Sequence, residues 1–193
     1  MNLWQVTRQT QVNIGGARKV HKAPVTSLTF LNNEQTCASA SVEGLVVLWD
    51  LSTNKDKKAF TILQEFRIPQ IGKQKRGAEL AAISLKYNTR LDELIALGTD
   101  KRMTFWSVAK RKMITQLQAD FEADLTSIAI SPDGQLILLG NEDGEMKLFT
   151  AEDHRLIHFE AVHTSAITAV TISPDNTLIL TADASGQVLF WRI

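Results

Sequence analysis

The feature that most constrains this 193-residue chain is the placing of its four tryptophans. Each sits in the same local setting: Leu3-Trp4-Gln5-Val6, Leu48-Trp49-Asp50-Leu51, Phe105-Trp106-Ser107-Val108 and Phe190-Trp191-Arg192-Ile193. Leu148-Phe149-Thr150-Ala151 fills the same slot with Phe. The intervals are 45, 57, 43 and 42 residues. A period of this length means a repeat architecture, in which each unit buries its apolar surface on its neighbours.

A second mark keeps step with the first. Val25-Thr26-Ser27-Leu28-Thr29-Phe30 aligns with blocks opening at Leu80, Leu125 and Ile167. From the first residue of each block to its aromatic is 24, 26, 24 and 24 residues. Ser131-Pro132-Asp133-Gly134 and Ser173-Pro174-Asp175-Asn176 then read as turns, because Pro presets φ and Asp, Asn and Gly suit the other positions. A second apolar strand follows, as in Leu136 to Leu139. A tight turn falls near Gly44, Lys101, Gly144 and Gly186, and the third strand carries the aromatic. A fourth strand such as Lys112 to Leu117 leads onward. Four strands in about 43 residues predict one propeller blade per unit.

The pattern resembles the WD40 repeat, with a His, a strand, an Asp- or Gly-bearing turn and then Trp-Asp. The resemblance implies an all-β propeller of about four four-stranded blades. The repeats are 21–58, 59–111, 112–153 and 154–193, with 1–20 as the end of a preceding blade and a lead-in strand. It also implies a structural hydrogen-bond network. The first repeat would build it from His21, Ser39 or Ser41, Glu43 and Trp49, with Asp50 after the indole. The last would use His163, Thr181 and Trp191, with Ser185 where Asp is usual. The middle repeats keep Asp100, Trp106 and Asp143 but have Arg76 and Phe121 in the His position.

Counting strands gives an orphan third strand at Leu3 to Val6 and then four units, fewer than the seven or so usual for the family. Open sheet faces and an unpaired edge are an association hazard. A second chain is therefore expected to complete the ring, most plausibly a separately encoded N-terminal portion of the same protein. Two copies forming eight blades, or a fragment of a longer chain, are the other readings. A closed four-bladed ring, with residues 9–20 pairing against Gln187 to Trp191, is the least favoured.

Other stretches carry a closer resemblance. Asn33 through Ser41, Val47-Leu48-Trp49-Asp50-Leu51, Leu97 through Trp106, and the run from His163 through Gly186 to Trp191 resemble the last repeats of the axonemal WD-repeat proteins of cilia and flagella. Phe149-Thr150 in place of Trp-Asp and the insert Gly72 to Gly77 depart from that pattern. The resemblance implies a non-catalytic structural scaffold, a microtubule inner protein in the cytoplasmic skeleton of the cilium. Its partners would be tubulin and neighbouring inner proteins of the doublet microtubule. A general soluble WD40 adaptor of a multiprotein complex, in ribosome assembly or signalling, is the alternative.

Charge bears on where partners would sit. Lys plus Arg and Asp plus Glu both number 21, which argues against a general nucleic-acid or membrane-surface binder. The balance is uneven along the chain, however. Residues 1–113 hold 18 basic and 9 acidic side chains, and residues 114–193 hold 3 and 12. Lys73, Lys75 and Arg76 in a loop, with Lys101 and Arg102 in the turn of the same blade, are expected to form one basic patch. Lys55, Lys57 and Lys58 beside Lys110, Arg111 and Lys112 form another on the opposite face. Both would suit acidic protein surfaces such as tubulin.

No motif points to catalysis, a cofactor or a metal. Lys19 lacks the following Ser or Thr of a phosphate loop. His154, His158 and His163 share no helical face and no Cys joins them. Cys37, the single cysteine, reads as a core thiol and fits a reducing compartment. No apolar run reaches the roughly 20 residues of a membrane helix, and the N-terminus lacks the pattern of a signal peptide.

Overall fold

The computed structural model describes residues 4–6, 11–13, 19–32, 35–52, 61–69 and 82–193, with side chains from residue 19 onward except that of Ile83. Every regular element among them is a β-strand. The strands fall into successive antiparallel meanders. Blade 1 comprises β3 (Val25–Phe30), β4 (Thr36–Ser41), β5 (Leu45–Asp50) and β6 (Thr61–Arg67), preceded by a separate hairpin of β1 (Trp4–Val6) and β2 (Gln11–Asn13). Blade 2 comprises β7 (Ala82–Asn88), β8 (Glu93–Gly98), β9 (Arg102–Ser107) and β10 (Lys112–Gln118). Blade 3 comprises β11 (Leu125–Ile130), β12 (Leu136–Asn141), β13 (Glu145–Thr150) and β14 (Leu156–Ala161). Blade 4 comprises β15 (Ile167–Ile172), β16 (Leu178–Asp183) and β17 (Val188–Arg192). The four turns expected near Gly44, Lys101, Gly144 and Gly186 all reverse the chain at a residue with positive φ, of 70°, 62°, 80° and 90°.

The blades stack in sequence order, with β3 packed near β7, β7 near β11 and β11 near β15. Among the described residues no comparable packing joins β15 to β3, so the blades form an open arc. Residues 11–13 pair with Trp4–Val6 rather than with Gln187–Trp191, so among the described residues the closed four-bladed ring does not form.

The core lies between blades. Ala38, Ala40, Val46 and Leu48 of blade 1 pack on Leu85, Leu94 and Trp106 of blade 2. Ile95, Leu97, Met103 and Phe105 of blade 2 pack on Ile128, Ile137, Leu139 and Phe149 of blade 3. Leu138, Met146 and Leu148 of blade 3 pack on Ile167, Ile172, Ile179 and Trp191 of blade 4. Successive side chains of a strand point to opposite faces. A central blade therefore buries both faces and its strands lose alternation, as in β8, where only Glu93 keeps appreciable exposure. Each Leu or Ile enclosed this way contributes roughly 1.5–3 kcal/mol. In β17 exposure alternates with every residue, because one of its faces has no blade against it.

Candidate protein-interaction site

The loops that enter blades 1, 3 and 4 are fastened to them by different polar devices. In blade 1, Trp49 Nε1 donates to Ser39 Oγ at 2.8 Å, and Ser39 Oγ lies 2.6 Å from His21 Nε2. Ser39 accepts the indole proton and shares a second hydrogen bond with the imidazole, while His21 Nδ1 faces Glu43 Oε1 at 3.9 Å, beyond hydrogen-bond reach. Burial lowers the His21 pKa, with Glu43 opposing it. The bonded hydroxyl is that of Ser39. Ser41 instead turns to Glu43 and the Leu45 carbonyl, at 3.4 Å each. Asp50 Oδ1 accepts from the backbone and side chain of Ser52.

Blade 4 repeats the device. Trp191 Nε1 donates to Thr181 Oγ1 at 3.2 Å, and Thr181 Oγ1 stands 2.7 Å from His163 Nε2. His163 Nδ1 faces Asp183 Oδ2 at 3.1 Å, with both side chains fully enclosed. A carboxylate only accepts, so the Nδ1 proton is fixed. Asp183, rather than Ser185, supplies this carboxylate. Its Oδ1 also receives Ser185 Oγ and the N–H groups of Ser185 and Gln187. The Ser185 hydrogen bond is the largest cause holding the Asp183 pKa below the ordinary carboxylate range.

The residue eight before the aromatic organises the turn, and the sequence reading named it only in blade 1, as Ser41. In blade 3 it is Asn141, whose Oδ1 accepts from the N–H groups of Asp143 and Glu145. Asp143 itself is exposed. In blade 2 it is Gly98. A Cβ there would lie 2.5 Å from Asp100 Oδ1, so the missing side chain leaves room for the Asp100 carboxylate to fold inward. Burial raises the Asp100 pKa, against Arg102, whose Nε is 3.8 Å away. Trp106 has no hydroxyl ten residues earlier, where Ala96 stands, and packs on Phe66 with centroids 5.6 Å apart.

The expected basic surfaces come out differently. Lys101 donates to the Glu122 carbonyl and lies 3.7 Å from Asp124, both in the loop that opens blade 3. With Arg102 turned to Asp100, this part of the first patch is neutralised within the chain. Its other members, Lys73, Lys75 and Arg76, lie outside the described residues, as do Lys55, Lys57 and Lys58. Lys110, Arg111 and Lys112 are exposed together at the turn joining β9 to β10. Two of them, Lys110 and Lys112, line an open cleft of about 600 Å³ with Asp92, Glu93 and the exposed Met113 and Ile114.

The buried Cys37 thiol is pushed up to about 11 by desolvation, consistent with a core role. His154 packs on Phe105 at 4.1 Å, and the exposed His158 faces Glu160. Among the described residues no group of three or more His, Cys, Asp or Glu is placed to hold a metal ion.

The meander blades, the phased aromatics and the His–Ser/Thr–Trp networks define a WD40-repeat propeller chain. A family model described as WD domain, G-beta repeat, matches residues 16–50, and one for the anaphase-promoting complex subunit 4 WD40 domain matches residues 85–175. Over its whole length the chain is homologous to cilia- and flagella-associated protein 52. It is 26% identical to the pig protein over 195 residues, and 25% identical to that of Chlamydomonas reinhardtii over 162 residues, 84% of the chain. The chain spans 28% of the pig relative and 24% of the algal one. A crystal structure of the computationally designed Ika4 protein superposes with a TM-score of 0.69, at 17% identity, covering 92% of this chain and 96% of that one.

Proposed function

We propose that this chain is a non-catalytic interaction scaffold of the cilium or flagellum. It acts in the axoneme as an inner protein of the doublet microtubule, against tubulin and neighbouring inner proteins. The observation that carries this reading is the whole-length similarity to cilia- and flagella-associated protein 52 from animals and an alga. The exposed Lys110-Arg111-Lys112 turn supplies a site for an acidic partner surface. Exposed ion pairs contribute little affinity each, so the turn orients the partner more than it holds it.

The test is co-sedimentation of the chain with microtubules. Replacing Lys110, Arg111 and Lys112 together by Gln is expected to weaken binding at low salt and to matter less at high salt, where the charges are screened. Unchanged binding at low salt would refute the site. A general adaptor role is the second reading, supported by the match to a multiprotein-complex subunit and by 23% identity over 147 residues to a rice guanine nucleotide-binding protein subunit beta. Capture of soluble complexes in place of axonemal proteins from a ciliated cell would favour it.

A further inference from the structure

The outer strand of blade 2 sets apolar side chains in water beside a basic turn. In β10, Lys112 pairs with Ser107, Met113 with Trp106 and Thr115 with Phe105, so Ile114 is a bulge with no partner on β9. Bulges at sheet edges re-aim side chains. Met113 and Ile114 are left 44% and 46% exposed, although blade 2 has a blade packed on each face. β6 and β14 bulge at the matching residues, Leu63 and Ile157. Leu63 packs on the core between blades 1 and 2. The turn before Ile157 uses its charge internally, with Asp153 bonded to Thr150 and 3.9 Å from Arg155. Among the described residues, only β10 joins a bulged, exposed apolar residue to a run of basic ones.

That turn is held in place. Arg111 closes it at φ 51°, its N–H donating to the Val108 carbonyl at 3.3 Å and its own carbonyl accepting from Gln64 Nε2 of β6 at 2.8 Å. Lys110, Arg111 and Lys112 are exposed and form no ion pair among the described residues. The cleft of about 600 Å³ beside the turn brings three chemistries together. Lys110 and Lys112 supply positive charge, and Met113 and Ile114 an apolar wall. Asp92 and Glu93 are half-buried. Asp92 is already engaged, accepting from the Tyr87 hydroxyl at 2.6 Å and the Ala109 N–H at 2.9 Å. Glu93 Oε2 is enclosed and has no hydrogen-bond partner among the described residues.

We propose that this cleft binds an extended peptide segment of a partner protein, one that combines acidic and apolar residues. The proposal deepens the ciliary reading and rests on its basic turn. Each part of the occupant answers an observation. Carboxylates suit the unpaired cations of Lys110 and Lys112. Apolar side chains cover Met113 and Ile114. A backbone N–H suits Glu93 Oε2, which can only accept while ionised. A peptide carries all three groups, whereas a phosphate polymer brings neither the apolar side chains nor the amide donor. The bulge breaks the regular edge of β10, so recognition rests on side chains and the cleft rather than on an added strand.

The test is fluorescence anisotropy of the 193-residue chain with three labelled peptides of about ten residues. One alternates Asp with Leu, one is Asp alone, and one alternates Lys with Leu. At low salt the Asp–Leu peptide should bind at least tenfold tighter than Asp alone, and the Lys–Leu peptide should not bind. Met113→Ser with Ile114→Ser should weaken the Asp–Leu peptide at least tenfold. Circular dichroism should stay unchanged, because both side chains are exposed. Lys110→Gln with Lys112→Gln should weaken it as much, and less at high salt, where the charges are screened. Glu93→Met keeps the length of the side chain and removes the acceptor, so it should weaken binding severalfold.

Tighter binding by Glu93→Met overturns the proposal, since Glu93 would then only repel the acidic segment. So does equal binding of Asp alone and Asp–Leu, which would mean charge attraction without the apolar wall, or no binding of any peptide. Microtubule co-sedimentation keeps this apart from the ciliary reading. A chain that sediments with microtubules but ignores the peptides overturns the cleft and leaves that reading standing. A chain that binds the Asp–Leu peptide but not microtubules supports the cleft and counts against that reading.

Discussion

Ser39→Ala isolates the worth of the blade 1 network. It removes one oxygen and leaves two buried groups, the Trp49 indole N–H and His21 Nε2, without their partner. Leaving a buried polar group unsatisfied costs about 1–3 kcal/mol, so the expected loss is about 2–4 kcal/mol. The matched control copies blade 3. There Phe121, Leu139 and Phe149, all buried, occupy the places of His21, Ser39 and Trp49. His21→Phe with Ser39→Leu and Trp49→Phe removes every member of the network and leaves no orphan. Replacing all partners by apolar groups of similar volume is expected to cost under about 1.5 kcal/mol. Guanidinium titration at pH 7.5, followed by circular dichroism with a constant m-value, measures both. A loss below about 0.5 kcal/mol for Ser39→Ala, or a triple variant weaker than the single one, would refute the reasoning.

Two further predictions concern single side chains. Gly144 has φ +80°, and an added Cβ would stand 2.2 Å from the His163 carbonyl oxygen, whereas at Gly186, with φ +90°, it would meet nothing within 4 Å. Gly186→Ala should therefore cost only the left-handed penalty of about 1–2 kcal/mol, and Gly144→Ala that plus about 1–3 kcal/mol of overpacking; equal losses in a denaturant titration would contradict the contact. Asp100 has its pKa raised by burial, so the folded state disfavours its ionised form. The stability it offers is present below the unfolded value of ~3.9 and is lost as pH rises through the higher folded value. Asp100→Asn should then raise Tm at pH 7.5 and leave it nearly unchanged near pH 3, and a lower Tm at pH 7.5 would refute this sign.

The blades were legible because two signals, the aromatic and the Val25-type block, recur in phase and need no tertiary knowledge. The turn glycines were legible for the same local reason, positive φ. The networks were legible only in part. Ser39 and Ser41 are both small and polar and, two positions apart, share one face of the strand, so only the register along it decides which reaches the indole. The pairing of Cys37 with Trp49 puts Ser39 two positions from the indole and Ser41 four, at the turn. Asp183 was masked by Ser185 because the family's usual turn Asp stands two positions later. Its signal, a polar residue eight before the aromatic, is blurred by Gly98 in blade 2. The basic patch came out differently because sequence distance hides neighbours across a joint: Lys101 and Asp124 are in contact, though 23 positions apart.

What blades 1, 3 and 4 share is the outcome these contacts serve, a loop tied down to the strands beneath it. In blades 1 and 4 the tie runs from the loop downward, through His21 to Ser39 and His163 to Thr181. In blade 3 it runs upward. Lys147, on the aromatic-bearing strand two positions before Phe149, sends its buried ammonium to the loop carbonyls of Ala119 and Asp120 at 3.0 and 2.6 Å. That ammonium stands 4.3 Å from the Phe121 ring centroid. Phe121 holds the His position, so the ring that cannot hydrogen-bond still offers its face to a cation. A buried ammonium is tolerable only with such partners. The loss of the histidine in blade 3 is therefore matched by a lysine where blades 1 and 4 carry Val47 and Leu189, and the two exchanges make sense only together.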